Sequence, residues 1–86
     1  MRLLWEDRAW DDYLYWQTQD KKTLKRVNAL LNDIKRSPVS GIGKPEPLRH
    51  LPGGLWSRRI DAMNRIVYYE ADGVVYVIAC RGHYED

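Results

Sequence analysis

Apolar residues recur at Leu24, Val27, Leu30, Leu31 and Ile34, and steps of three and four residues gather them into one stripe along a helix. Asp20 stands where that helix needs a cap, with a side-chain oxygen for the unpaired N–H groups of the first turn. Pro38 forbids continuation past Ser37, because the residue before a proline is pushed out of the helical region. The opposite side carries Lys22, Lys25, Asn32, Asp33 and Arg36, which reads as a solvated face. Upstream, Trp10, Tyr13 and Leu14 keep a looser helical spacing over residues 7–17, with acids in the opening turns where the helix dipole favours them. Residues 2–6 are expected to form a short first strand.

The period changes after Pro38. Residues 39–55 hold Gly41, Gly43, Gly53, Gly54, Pro45, Pro47 and Pro52, which exclude a helix and predict an ordered loop around one short strand. Alternation then predicts strands over 55–60, 65–70 and 74–81, the last two joined by Asp72-Gly73, a two-residue type I′ hairpin signal. Such a loop pairs Ala71 with Val74 and, counted back along both strands, Arg65 with Cys80. Whether the turn at 61–64 uses two residues or three decides which of Arg58 and Arg59 shares the face of Arg65, and the sequence leaves that open. Residues 74–80 are apolar on both faces and are expected to form the central strand, covered on one side by the helices. The order strand, helix, helix, strands predicts an α+β fold, with two N-terminal helices packed on one face of a twisted, mainly antiparallel sheet.

Composition narrows the class. With 86 residues, 44% of them hydrophobic, the chain has material for one core, so residues 1–86 are expected to be a single domain. Its aromatic residues are four Trp and six Tyr with no Phe, so every large ring carries a polar atom suited to half-buried surfaces and ligand contacts. One cysteine allows no internal disulfide, and the opening residues are charged too soon for a signal peptide, so a reducing cytoplasm is expected. No apolar run approaches the roughly 20 residues of a membrane-crossing helix, so no membrane partner is expected.

A net charge of +2 is only mildly basic, but its distribution is uneven. Lys44, Arg49, Arg58, Arg59 and Arg65 face only Glu46 and Asp61 within 44–65, whereas the residues after Arg65 hold one Arg and four acids. The positive middle suits a polyanion.

The apolar run of the last strand stops abruptly in Arg81-Gly82-His83-Tyr84, which delivers a cation, a hinge, an imidazole and a phenol in four positions. Strict alternation puts Tyr84 on the face of Cys80 and Arg65 and His83 on the other, unless Gly82 bulges or the strand ends there. With Glu46 and Arg65, this tail offers a carboxylate, a permanent cation and a group that exchanges protons near neutral pH. Such a set suffices for metal-free attack of a ribose 2′-hydroxyl on its neighbouring phosphate. Two His and one Cys without ligand spacing make no metal site, and Cys80 among Val, Ile and Ala is expected to be an inert buried thiol. No cofactor is expected.

The runs "WDDYLYWQ", "GKPEPL", "LWSRRI", "NRIVYY" and "ACRGHY" resemble those of the YoeB toxins, members of the RelE superfamily of messenger-RNA-cleaving toxins, from Leu3 to Tyr84 with spacing intact. The resemblance implies a small α+β fold with an open concave face, and metal-independent cleavage of messenger RNA in the ribosomal A site. It implies a YefM-like antitoxin, operator DNA bound through that antitoxin, and in some members a homodimer. By position, Glu46 becomes the general base, Arg65 the residue stabilising the phosphorane, His83 the general acid and Tyr84 the residue that orients or stacks on the nucleotide. Lys44, Arg49, Arg58 and Arg59 become phosphate contacts. Gly82 stands where the family more often has a bulkier residue, and Glu85 and Asp86 extend past the usual Tyr end. Two acids there repel phosphate, so trimming them is expected to leave cleavage intact or improve it. The competing expectation is a protein of the same fold that binds antitoxin, operator complex or ribosome without cutting.

Overall fold

Asp20 ends one helix and starts the next. In the computed structural model, which describes residues 1–84, its backbone N–H donates to Trp16 O (3.1 Å) and closes helix α1, Asp7–Gln19. Its carboxylate accepts from the backbone N–H (3.0 Å) and the hydroxyl (2.7 Å) of Thr23 and opens helix α2, Lys21–Arg36. Those bonds, the hydroxyl's first, hold the Asp20 carboxyl below the usual carboxylate range. Helix α1 runs two residues beyond the expected Gln17, and α2 stops at the boundary that Pro38 imposes. Glu85 and Asp86, expected above to repel phosphate, lie outside the described residues.

Five strands complete the fold: β1 (Arg2–Trp5), β2 (Glu46–Pro47), β3 (Trp56–Arg59), β4 (Arg65–Ala71) and β5 (Val74–Ala79). They form one sheet in the order β1-β5-β4-β3-β2, with β1 parallel to β5 and every other pair antiparallel. The α+β class and mainly antiparallel sheet agree with the sequence reading. Strand β5 is interior, but β4 occupies the middle, because the N-terminal strand and the pair β3–β2 add to opposite sides of the hairpin.

One face of the sheet lies under the helices. Ala9 and Trp16 of α1 and Val27, Leu30, Leu31 and Ile34 of α2 pack on Ile60, Ile66, Tyr68, Val75, Val77 and Cys80. Truncating a fully buried member such as Leu30 to Ala would cost about 2–5 kcal/mol, the lost transfer energy plus the cavity. The other face holds a smaller cluster, Leu48, Leu55 and Val67, flanked by Leu51, Tyr69, Ile78 and Tyr84.

The hairpin keeps the expected Ala71–Val74 pairing and then slips. Tyr68 pairs with Val77 but Val67 pairs with Ala79, so Ile78 is an extra residue, a bulge in β5. Counting past it, Arg65 is not opposite Cys80, and Cys80 turns into the helix-side core. The side-chain parity of the chain end is therefore inverted relative to strict alternation.

A second correction concerns Asp33 and Arg58. Asp33 is 6% exposed and Arg58 is fully buried. Arg58 donates through Nη1 to Asp33 Oδ2 (2.5 Å) and Ile42 O (3.1 Å), through Nη2 to Ser37 O (2.5 Å) and Ser40 O (2.9 Å), and through Nε to the Tyr68 hydroxyl (3.1 Å). Residues 37–43 fold back over the end of α2 and cover this network, with Ile42 N–H on Asp33 Oδ2 (3.0 Å) and Arg36 also paired to Asp33. Gly41 makes the fold-back possible: a Cβ there would stand 1.9 Å from Asp33 Oδ2. Asp33 is thus not part of a solvated face, and the Arg58 guanidinium holds its carboxyl below the usual carboxylate range. Burial pushes the Tyr68 phenol up.

Candidate active site

The uncovered face is assembled by register. Glu46 pairs with Ser57, and Ser57 pairs with Val67, so the three side chains share a face, and Arg65, two residues from Val67, joins them. Arg59 pairs with Arg65, which settles the question left open by the 61–64 turn: Arg59 stands on this face and Arg58 on the other.

Arg65 Nη1 donates to Glu46 Oε1 at 2.9 Å and to Ser57 Oγ at 3.4 Å. The side chain of Glu46 is 53% exposed and that of Arg65 21%. This is a braced but accessible cation. A guanidinium has five N–H donors, and among the described residues the side-chain bonds of Arg65 leave from Nη1 alone. Donors remain for a phosphate.

The tail reaches this face because α1 ends β5. Cys80 N–H is taken by Asp12 Oδ2 (3.0 Å) and Cys80 O by Trp16 Nε1 (2.8 Å), so neither group continues the ladder. Arg8 Nη2 then donates to Arg81 O (3.2 Å), and the Arg81 guanidinium lies 3.5 Å from the centroid of the Tyr15 ring. Gly82 turns the chain with a left-handed φ of +77°, a conformation that glycine adopts without steric cost. Its carbonyl accepts from Arg65 N–H (3.2 Å), so half-buried His83 directly follows a residue bonded to the backbone of Arg65. Tyr84 packs against the Leu48, Leu55 and Val67 cluster, with the Arg8 guanidinium 5.6 Å from its ring centroid.

The structure therefore brings Glu46 and Arg65 into contact, attaches His83 through Gly82 to the same strand end, and lays Tyr84 on the same face. Lys44 and Arg59 are exposed and line, with Arg26 and Asp61, a shallow depression of about 440 Å³. Arg49 is exposed on the loop after Leu48. Arg58 is the exception among the candidate phosphate contacts: it is sealed in the core with its donors spent, out of reach of a polyanion. Cys80 is buried as expected, and burial pushes its thiol up to about 12. Trp16 finishes the core, whereas Tyr15 stays partly exposed under Arg81. Among the described residues no three His, Cys, Asp or Glu side chains gather as a metal-binding set, and no helix is long and apolar enough to cross a membrane.

Two residues at the site escaped sequence reasoning. Ser57 supports Arg65, and its signal was its place beside Arg58 and opposite a strand carrying an acid. Asn64 Oδ1 accepts from Gly82 N–H (2.8 Å), a contact between a turn and a tail that no spacing reveals.

A family model described as the YoeB-like toxin of bacterial type II toxin–antitoxin systems matches residues 5–84. Toxin YoeB of Escherichia coli K12 is 50% identical over 84 residues, 98% of this chain and all of that protein. The YoeB dimer from Staphylococcus aureus superposes with a TM-score of 0.89 at 39% identity, covering 98% of both chains. A heterotetrameric YoeB–YefM toxin–antitoxin complex from Staphylococcus aureus gives 0.87 at 39%, again covering 98% of both chains. An open sheet face with paired Glu and Arg, a docked His-Tyr tail and a match that spans nearly the whole sequence lead to one conclusion: the chain belongs to the YoeB-like toxin family of bacterial type II toxin–antitoxin systems.

Proposed function

We propose that this toxin is a metal-independent endoribonuclease that cleaves messenger RNA in the ribosomal A site and is neutralised by a YefM-like antitoxin. The observation that carries the reading is the Arg65–Glu46 pair on the uncovered face. Glu46 takes the proton of a ribose 2′-hydroxyl as that oxygen attacks the adjacent phosphorus. Arg65, already braced by Glu46 and Ser57, offers its other donors to the phosphorane oxygens, where charge develops. His83 protonates the departing 5′-oxygen, leaving a cyclic 2′,3′-phosphate, and Tyr84 orients or stacks on the nucleotide. General-base catalysis of this kind is worth about 10²–10⁴-fold and removal of one oxyanion donor about 10²–10³-fold. Lys44, Arg49 and Arg59 hold flanking phosphates through salt-sensitive contacts.

The antitoxin partner is supported by the Staphylococcus aureus YoeB–YefM complex, and a homodimer by the YoeB dimer of the same organism. Operator DNA is reached through the antitoxin, and the site of action is the cytoplasm, where the ribosomes are.

Primer extension on a defined messenger RNA, in EDTA and with or without ribosomes, tests the reading. Cuts at A-site codons only with ribosomes, lost in Glu46→Gln, are expected. Ribosome binding without cuts by either protein would replace it with that of a non-cutting binder.

A further inference from the structure

We propose that Asn64, held by Asp61, is a positioning residue for His83, so that the β3–β4 turn sets where the imidazole stands; this rests on the nuclease reading of His83 given above. The turn is tied by the Asp61 carboxylate, whose Oδ1 accepts from the backbone N–H groups of Met63 and Asn64 (both 2.8 Å). The same carboxylate takes the Asn64 side-chain amide, Nδ2 lying 3.0 Å from Oδ1 and 3.2 Å from Oδ2. A carboxylate accepts and a backbone N–H donates, so only one orientation of the Asn64 amide satisfies both of its neighbours. With Nδ2 on Asp61, Oδ1 is aimed at Gly82 N–H, 2.8 Å away.

Gly82 is thereby held at both backbone polar groups by consecutive residues, its N–H by the side chain of Asn64 and its carbonyl by the N–H of Arg65. It needs that hold. Strand β5 ends at Ala79 and α1 secures Cys80 and Arg81, so the left-handed step at Gly82 lies beyond both. His83 is the next residue. The turn is anchored in its own right, with Ile60 N–H on Asn64 O (2.9 Å) and Arg26 on the carbonyls of Ile60 (3.3 Å) and Arg59 (3.2 Å). One element consequently fixes the phosphate-binding Arg59, the transition-state cation Arg65 and, through Asn64, the acid. Reacting groups tolerate little error, since displacement by about 1 Å costs about 10²-fold in rate.

The test is single-turnover cleavage on programmed ribosomes by wild type, Asn64→Ala, His83→Gln and the double variant. Asn64→Ala is expected to lower kcat about 10- to 100-fold with KM unchanged, and to change nothing further in the His83→Gln background, because its effect passes through that ring. Asp61→Asn, which retains the turn's acceptor but weakens the hold on the Asn64 amide, is expected to lose several-fold in kcat with the same dependence on His83. A wild-type kcat in both variants, or losses that persist in full beside His83→Gln, would overturn the proposal. Imidazole NMR of the folded protein decides it without catalysis. The chain has two histidines, and Asn64→Ala should move or broaden the ring signal of His83 and leave that of His50; an unmoved His83 signal would overturn the assignment. If wild type cuts nothing, the nuclease reading fails and the ring signals still decide the positioning.

Discussion

Two neighbouring arginines on β3 and its partner strand meet opposite fates. Arg58 faces the helices, is fully buried, and places Nε, Nη1 and Nη2 on five acceptors. Arg65 faces outward and commits one nitrogen to Glu46 and Ser57. Each is a guanidinium–carboxylate pair, yet the first has nothing left to offer and the second, among the described residues, has most of its donors free. A buried charge is tolerated only when every donor is matched, so the residue best bound by the fold is the one least able to bind anything else. Incomplete satisfaction is what separates a cation available to a ligand from a structural one here.

That contrast can be broken from either side. Glu46→Gln should reduce A-site cleavage by about 10²–10⁴-fold, roughly 3–5 kcal/mol of barrier, while leaving the urea midpoint nearly unchanged; a large loss of stability would make this pair structural as well. Arg58→Met should do the reverse, lowering the unfolding free energy by about 3–5 kcal/mol in urea titrations because Asp33 loses its principal partner, with the folded fraction still cutting. An Arg58 variant that stays stable but stops cutting would invert the assignment.

Acid sharpens the comparison further. The Asp33 carboxyl is held below its ordinary value by Arg58, so its contribution to stability is fully present above the unfolded-state value near 4 and is lost as pH falls through the depressed folded value. Urea midpoints measured from pH 6 down to pH 2 should fall in wild type and fall less steeply in Asp33→Asn, which starts lower. The smallest effect belongs to Gly82→Ala. Apart from its own chain neighbours, no described residue comes within 4 Å of the added Cβ, so the cost is that of a left-handed φ, about 1 kcal/mol by denaturant titration.

Much of this was legible beforehand. Asp20 and Pro38 bracketed α2, Asp72-Gly73 fixed the hairpin, and Glu46, Arg65 and Tyr84 stood out as chemistry on what became one face. The failures share a cause, which is contact between segments distant in sequence. Asp33 lies off the apolar stripe of α2 and is buried only because residues 37–43 return over it. Arg58 alternates with Trp56 and Ile60, but the undecided turn at 61–64 left its face open, and its matching acid was 25 positions away on a helix. The bulge at Ile78 has no Gly or Pro to announce it, and it alone moved Cys80 from one side of the sheet to the other.

That single extra residue makes the length of the last strand a matter of odd and even. Ile78 inverts the count once, so that Cys80 meets Asp12 and Trp16 and the chain leaves the sheet where Asn64 can receive it. Adding or removing one residue between Val74 and Cys80 would reverse the count and send the histidine out through the wrong side, whereas a change of two would preserve it. The placement of the chain end therefore depends on the arithmetic of a strand as well as on the identity of its side chains.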